Sequence, residues 1–153
     1  MATYKSPVDL DYAYITDATV HISASPDGYS ALEYSLELGR PARKAAPVIN
    51  ELKGRILLDY RLSVRTKASV GSTSERVLDV ELIVDGRVSA DQKATLNMKA
   101  EHVARWLEAN AVSLLYAKAR AYVEYVSAMS PFGAHSLPTI DPYAFLDGVG
   151  TGV

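Results

Sequence analysis

The sequence predicts an α+β fold, a four-stranded antiparallel sheet followed by a long C-terminal helix packed on it. Three features of the chain carry that prediction. Between Tyr12 and Asp85, apolar and polar residues alternate in four separate runs, the two-residue period of strands that bury one face. From Val103 to Met129, apolar residues recur at three- and four-residue steps, the helical period. All four alternating runs precede the long helical one.

The first strand is expected from Tyr12 to Ile22, with Tyr12, Tyr14, Val20 and Ile22 on one face and Asp17, Thr19 and His21 on the other. Pro26, Asp27 and Gly28 then supply a chain reversal, because proline presets φ and glycine accepts a positive one. In the second strand Leu32, Tyr34, Leu36 and Leu38 alternate with Glu33, Ser35 and Glu37, an apolar face opposite a polar one. Gly39 to Gly54 contains two prolines and a short apolar patch at Val48 and Ile49, so it reads as a long connection with room for a helical turn. The third strand sets Leu58, Tyr60, Leu62 and Val64 against Asp59, Arg61, Ser63 and Arg65, and a Gly71 to Ser74 loop closes it. The fourth sets Leu78, Val80, Leu82 and Val84 against Asp79, Glu81 and Asp85, and is expected to end at an Asp85–Gly86 turn.

In the helix, strongly polar residues between Val112 and Met129 are few, mainly Lys118, Arg120 and Glu124. Most of its circumference is apolar, and one sheet covers only one side of a helix. A second subunit is the expected second cover, with Leu115, Tyr122 and Val126 as interface residues. Pro131 and Gly133 end the helix, and an apolar turn at Tyr143, Phe145 and Leu146 closes the chain. One domain is expected over residues 1–153, its ordered core at about 12–146, with 1–10 and 148–153 flexible.

A net charge of −2 and a pI near 5.9 give no electrostatic reason to bind nucleic acid or anionic lipid. Without cysteine there are neither disulfides nor thiolate metal sites, and no apolar run approaches the roughly 20 residues of a membrane-spanning helix. The start lacks the basic and apolar regions of a signal peptide, so a soluble cytoplasmic protein is expected. Ten tyrosines stand against two phenylalanines and one tryptophan, and a ring with a polar tip suits half-buried contact surfaces.

Trp106 to Arg120 (WLEANAVSLLYAKAR) resembles the helix motif of the SecB export chaperones, with its leucines, aromatic and alanine–arginine pair. Ser130 to Leu146 (SPFGAHSLPTIDPYAFL) is similar to that family's proline-punctuated C-terminal segment, and Tyr14 to His21 (YITDATVH) to its first strand. The resemblance implies a SecB-like fold and an ATP-independent chaperone, a holdase for unfolded polypeptides such as preproteins or an antitoxin. It also implies a homotetramer built as a dimer of dimers. On that reading Tyr29, Phe132, Leu137 and Ile140, apolar or aromatic groups that one chain's core cannot easily use, line the client groove. The family docks the export motor SecA through an acidic sheet face. Asp17 and Thr19 match it, and Asp79 or Glu81 supplies the acid of the fourth strand, while His21 stands where an acid is usual. The short Ser23 to Ala31 connection and the glycine-bearing C-terminus also depart from the family pattern.

No catalytic residues are expected, and neither metal nor cofactor. His21, His102 and His135 have no metal-ligand spacing and read as structural or surface groups, and the chain has no G-x-S-x-G elbow. Asp79, Glu81 and Asp85 on one strand face serve solubility more readily than acid–base chemistry. The alternatives are a hot-dog-type thioesterase, whose central helix comes early and is followed by strands, and a structural oligomeric subunit such as one of a phage.

Overall fold

The two longest alternating runs form the centre of the sheet. In the computed structural model, which describes residues 7–23, 32–39, 42–43, 47–50, 52–70 and 75–148, these are β5 (Arg55–Val70) and β6 (Glu75–Asp91). They pair antiparallel from Arg55↔Asp91 to Val70↔Glu75. Around them the sheet order is β1–β6–β5–β2, with β1 at Val8–Ile22 and β2 at Leu32–Leu38. Two short strands, β3 (Ala42–Arg43) and β4 (Val48–Asn50), also pair with β5. The connection that allowed a helical turn thus contributes extended backbone instead. Its Val48 and Ile49 add ladder bonds that a helical turn would forgo.

Helix α1 (Ala100–Ala128) lies across one face of the sheet. Leu107, Ala111, Leu115, Ala119, Val123 and Val126, spaced by three or four residues, form the buried stripe. They meet Leu58, Leu62 and Val64 of β5 and Val80, Leu82 and Val84 of β6 in one apolar cluster. The expected Asp85–Gly86 turn is not a turn, because β6 continues to Asp91 and Gly86 sits mid-strand. A β-carbon there would lie 2.4 Å from Leu115 Cδ2 and 2.8 Å from the Tyr12 carbonyl oxygen. The glycine therefore sets how closely helix and sheet approach.

Strand β1 departs from the expected pattern in a second way. It begins at Val8, whose side chain is buried in the core, so residues 8–10 are part of the ordered sheet. Its pairing with β6 slips between Leu10 and Tyr12 and again between Ile15 and Asp17, leaving Asp11 and Thr16 as extra residues. Each slip reverses which face later residues occupy. Val20 and Ile22 pair with Val80 and Leu78 on the helix side, as expected. Tyr12 and Tyr14 pair with Arg87 and Asp85 and stand on the outer face, while Ala13 and Ile15 pack on the core in their place.

Candidate functional site

The outer face of the sheet is a ladder of cross-strand ion pairs. Arg61 makes two hydrogen bonds to Asp85 at 2.9 Å, Arg65 two to Asp79 at 3.1 and 2.9 Å, and Arg87 two to Asp59 at 2.8 and 3.0 Å. Both extra residues of β1 join this ladder: Thr16 Oγ1 donates to Asp85 at 3.0 Å, and Ser89 Oγ donates to Asp11 at 2.6 Å. Planar guanidinium groups fit carboxylates in this forked way, so each pair fixes a strand register as well as cancelling charge.

The opposite face presents a cleft, and the topology explains it. Helix α1 lies over β1, β5 and β6, so the helix side of the edge strand β2 is left to the segment that follows the helix. That segment turns at Gly133, where φ is +80°, and runs back to helix α2 (Pro142–Leu146). Contacts along its length hold it down. The His135 amide donates to Ser127 Oγ at 2.7 Å, the Tyr116 hydroxyl donates to the Pro138 carbonyl, and Arg105 pairs with Asp147. Burial pushes the Tyr116 hydroxyl up to about 12, so it keeps its proton and remains a donor.

Between this segment and β2 lies a cleft of about 660 Å³. Tyr34, Leu36 and Leu38 form one wall, and His135, Pro138, Ile140 and Phe145 the other. Tyr34 is 49% exposed and the leucines are half-buried, so apolar surface remains open to an occupant. Two of the cleft's polar groups are already engaged. The Asp141 carboxylate caps α2 by accepting from the Tyr143 and Ala144 amides. The Thr66 hydroxyl, 1% exposed, donates to the Ser35 carbonyl at 2.9 Å, so its contact with His135 Nε2 at 3.4 Å is not a nucleophile–base pair. Among the described residues, no three His, Cys, Asp or Glu side chains form a cluster able to hold a metal ion. The cleft has the chemistry of a binding surface for apolar groups.

No family sequence model and no curated protein matches the chain. Among solved structures it is similar to the SecB-like chaperone Rv1957 of Mycobacterium tuberculosis in complex with a ChAD peptide from the HigA1 antitoxin Rv1956. The TM-score is 0.58 at 12% identity, covering 88% of this chain and 91% of that one. The fold is SecB-like. A protein of unknown function from Streptococcus agalactiae is similar too, with a TM-score of 0.52 at 8% identity over 86% of this chain and 97% of that one.

On this SecB-like fold the sequence-derived groove residues scatter. Ile140 lines the cleft. Leu137, 1% exposed, points into the core instead. Phe132 is half-buried against the core and lies outside the cleft wall, and Tyr29 falls outside the described residues. Tyr34, Leu36, Leu38 and His135 were missed as site residues. The first three read as one core-facing stripe, and only the edge position of β2 uncovers them.

The expected acidic docking face is altered in the same manner. Asp79 is bound by Arg65 and also lies 3.4 Å from Arg76, which holds its carboxyl below the usual range. Asp17 and Glu81 are exposed and form no ion pair among the described residues, and Thr19 lies beside Glu81 in the register. Of the expected interface residues, Leu115 and Val126 are buried in the chain's own core and have no surface left for a second subunit, while Tyr122 is half-buried. On the side of α1 away from the sheet, Tyr125 and Met129 are exposed beside Ala117 and Ala121. No helix is long and apolar enough to cross a membrane among the described residues.

Proposed function

We propose that this chain is an ATP-independent chaperone that holds unfolded polypeptides in the cleft between β2 and the segment 135–145. The observation that carries the reading is an open, mainly apolar cleft on a SecB-like fold. An extended client gains roughly 1.5–3 kcal/mol for each apolar side chain it fully buries, so a few such contacts hold it without nucleotide. A second apolar hollow, between Ile49 and Ile56 on the sheet, Leu96 and Met98 just before α1, and Val103 on α1, lies at the other end of β5. It supports a client longer than one cleft. The client classes that fit are preproteins and antitoxin segments, both of which present extended apolar stretches.

We also propose that the chain works as a homotetramer, a dimer of dimers. Two surfaces support that assembly. The 15-residue strand β1 is a sheet edge, and such edges are ordinarily paired or protected. The outer side of α1 presents the second, around Ala117, Ala121, Tyr125 and Met129. Docking to a SecA-type motor has weaker chemical support, because Asp79 is neutralised within the sheet.

The test is suppression of aggregation of a non-native client by wild type and by the Tyr34→Ser, Ile140→Ser double variant. Loss of suppression in the variant, with its melting temperature and oligomer size unchanged, is the expected outcome. Equal suppression by both proteins would move the client site elsewhere.

A further inference from the structure

His135 reads from the sequence as a structural or surface histidine, yet it forms the contact between the two walls of the cleft. Its ring stacks on Tyr34 with centroids 4.1 Å apart and planes 13° apart. Nε2 lies 3.4 Å from Thr66 Oγ1. That hydroxyl commits its one proton to the Ser35 carbonyl, so it can only accept from the imidazole. The backbone of residue 135 is separately anchored, through its amide, to the buried Ser127 hydroxyl. The ring can therefore change its state or swing without the segment letting go of the helix.

The surroundings supply little to stabilise a positive charge on this ring. Tyr34 faces it from β2 and Thr66 from β5, both neutral. The Asp141 carboxylate shares the cleft but is spent on the α2 amides. From α1, Glu124 accepts from Ser136 Oγ at 2.7 Å and Arg120 donates to the same hydroxyl at 3.4 Å, so these opposite charges meet on the neighbouring residue. Glu33, Glu37, Arg65 and Lys67 occupy the alternate positions of β2 and β5 and face the other side of the sheet, where Lys67 pairs with Glu37. Burial accordingly holds the imidazole below its ordinary value of 6.5.

Resting on the groove reading above, we propose that His135 makes client capture proton-linked: the cleft accepts apolar client side chains when this ring is neutral and expels them when it is protonated. An apolar side chain laid against the ring removes its remaining water, which costs the charged form more than the neutral one. Client binding and protonation then oppose each other, reciprocally. Affinity is full above the ring's pKa in the free protein and falls as pH drops from there towards the still lower value in the complex. A client carboxylate at the same point would reverse that sign, because it stabilises the imidazolium.

The experiment measures binding of a fluorescent extended peptide of Leu, Val, Phe and Arg, free of His, Asp and Glu, to the full chain between pH 7.5 and 5. Wild type should lose at least about threefold in affinity over that range. His135→Phe and, should that variant misfold, His135→Asn should bind with no pH dependence. In parallel, the His135 ring resonances should titrate below 6.5 and move lower with peptide, while exposed His21 and His102 do not respond to it. Constant wild-type affinity, or an equal pH dependence in the variants, overturns the proposal and leaves the groove reading standing. No peptide binding at any pH by any of the proteins overturns both.

Discussion

Side chains that looked alike in the sequence have different tasks in the molecule. Leu137 and Ile140 follow the same helix amid the same prolines, but Leu137 is enclosed by the core and Ile140 lines the cleft. Leu137→Ala should therefore cost about 2–5 kcal/mol of stability in denaturant unfolding, with client affinity per folded molecule unchanged. A stable variant with weakened binding would reverse that assignment. Asp79 offers a test by pH. Hydrogen bonds from Arg65 hold its carboxyl below the usual range, against an opposing desolvation, so the unfolded chain takes up the proton more readily. The stability it contributes is complete above about pH 4 and is lost as pH falls through the lowered native value. Asp79→Asn should flatten the acid limb of the stability curve, and an unchanged limb would mean that the pair contributes nothing. His135 and Tyr34 were illegible as a pair because they lie about a hundred residues apart in sequence.

At the level of elements, the alternating runs and the helical stripe were legible because burial on one face leaves a period in the sequence. Strands β2, β5 and β6 and helix α1 follow from Leu32–Leu38, Leu58–Val64, Leu78–Val84 and Leu107–Val126 on that ground alone. The bulges of β1 were not legible. One extra residue at Asp11 or Thr16 only interrupts the alternation, and its place is set by what the partner strand offers: Ser89 for Asp11 and Asp85 for Thr16. Nor were β3 and β4, two and three residues long, since a run that short carries no period. Deleting Thr16 tests the bulge. It would join Ile15 to Asp17 in regular alternation, with Ile15, Ala13 and Val8 still on the core side, and should cost only the Thr16–Asp85 hydrogen bond, about 1 kcal/mol in denaturant unfolding. A loss of about 3 kcal/mol or more would show that β1 cannot keep this register without its extra residue.

For the whole molecule, a helix covering three strands of a four-strand path leaves one edge strand half-dressed, and the post-helix segment turns that deficit into a cleft. The sequence predicted the layers. It did not reveal the cleft, whose walls are fixed by strand order rather than by any local pattern. Assembly is the second property at this scale. Light scattering at micromolar concentration should give four chains, and Tyr125→Glu with Met129→Glu should reduce that number by placing charge on the outer side of α1. A wild-type monomer would remove the tetramer from the proposal. The most direct test of the cleft as a client site is amide hydrogen exchange of the full chain with and without an unfolded apolar client. Added protection in Leu32–Leu38 and in residues 135–146, with the Arg61–Asp85 region of the outer face unchanged, is the expected result. A bound client that leaves both of those segments unprotected would contradict it.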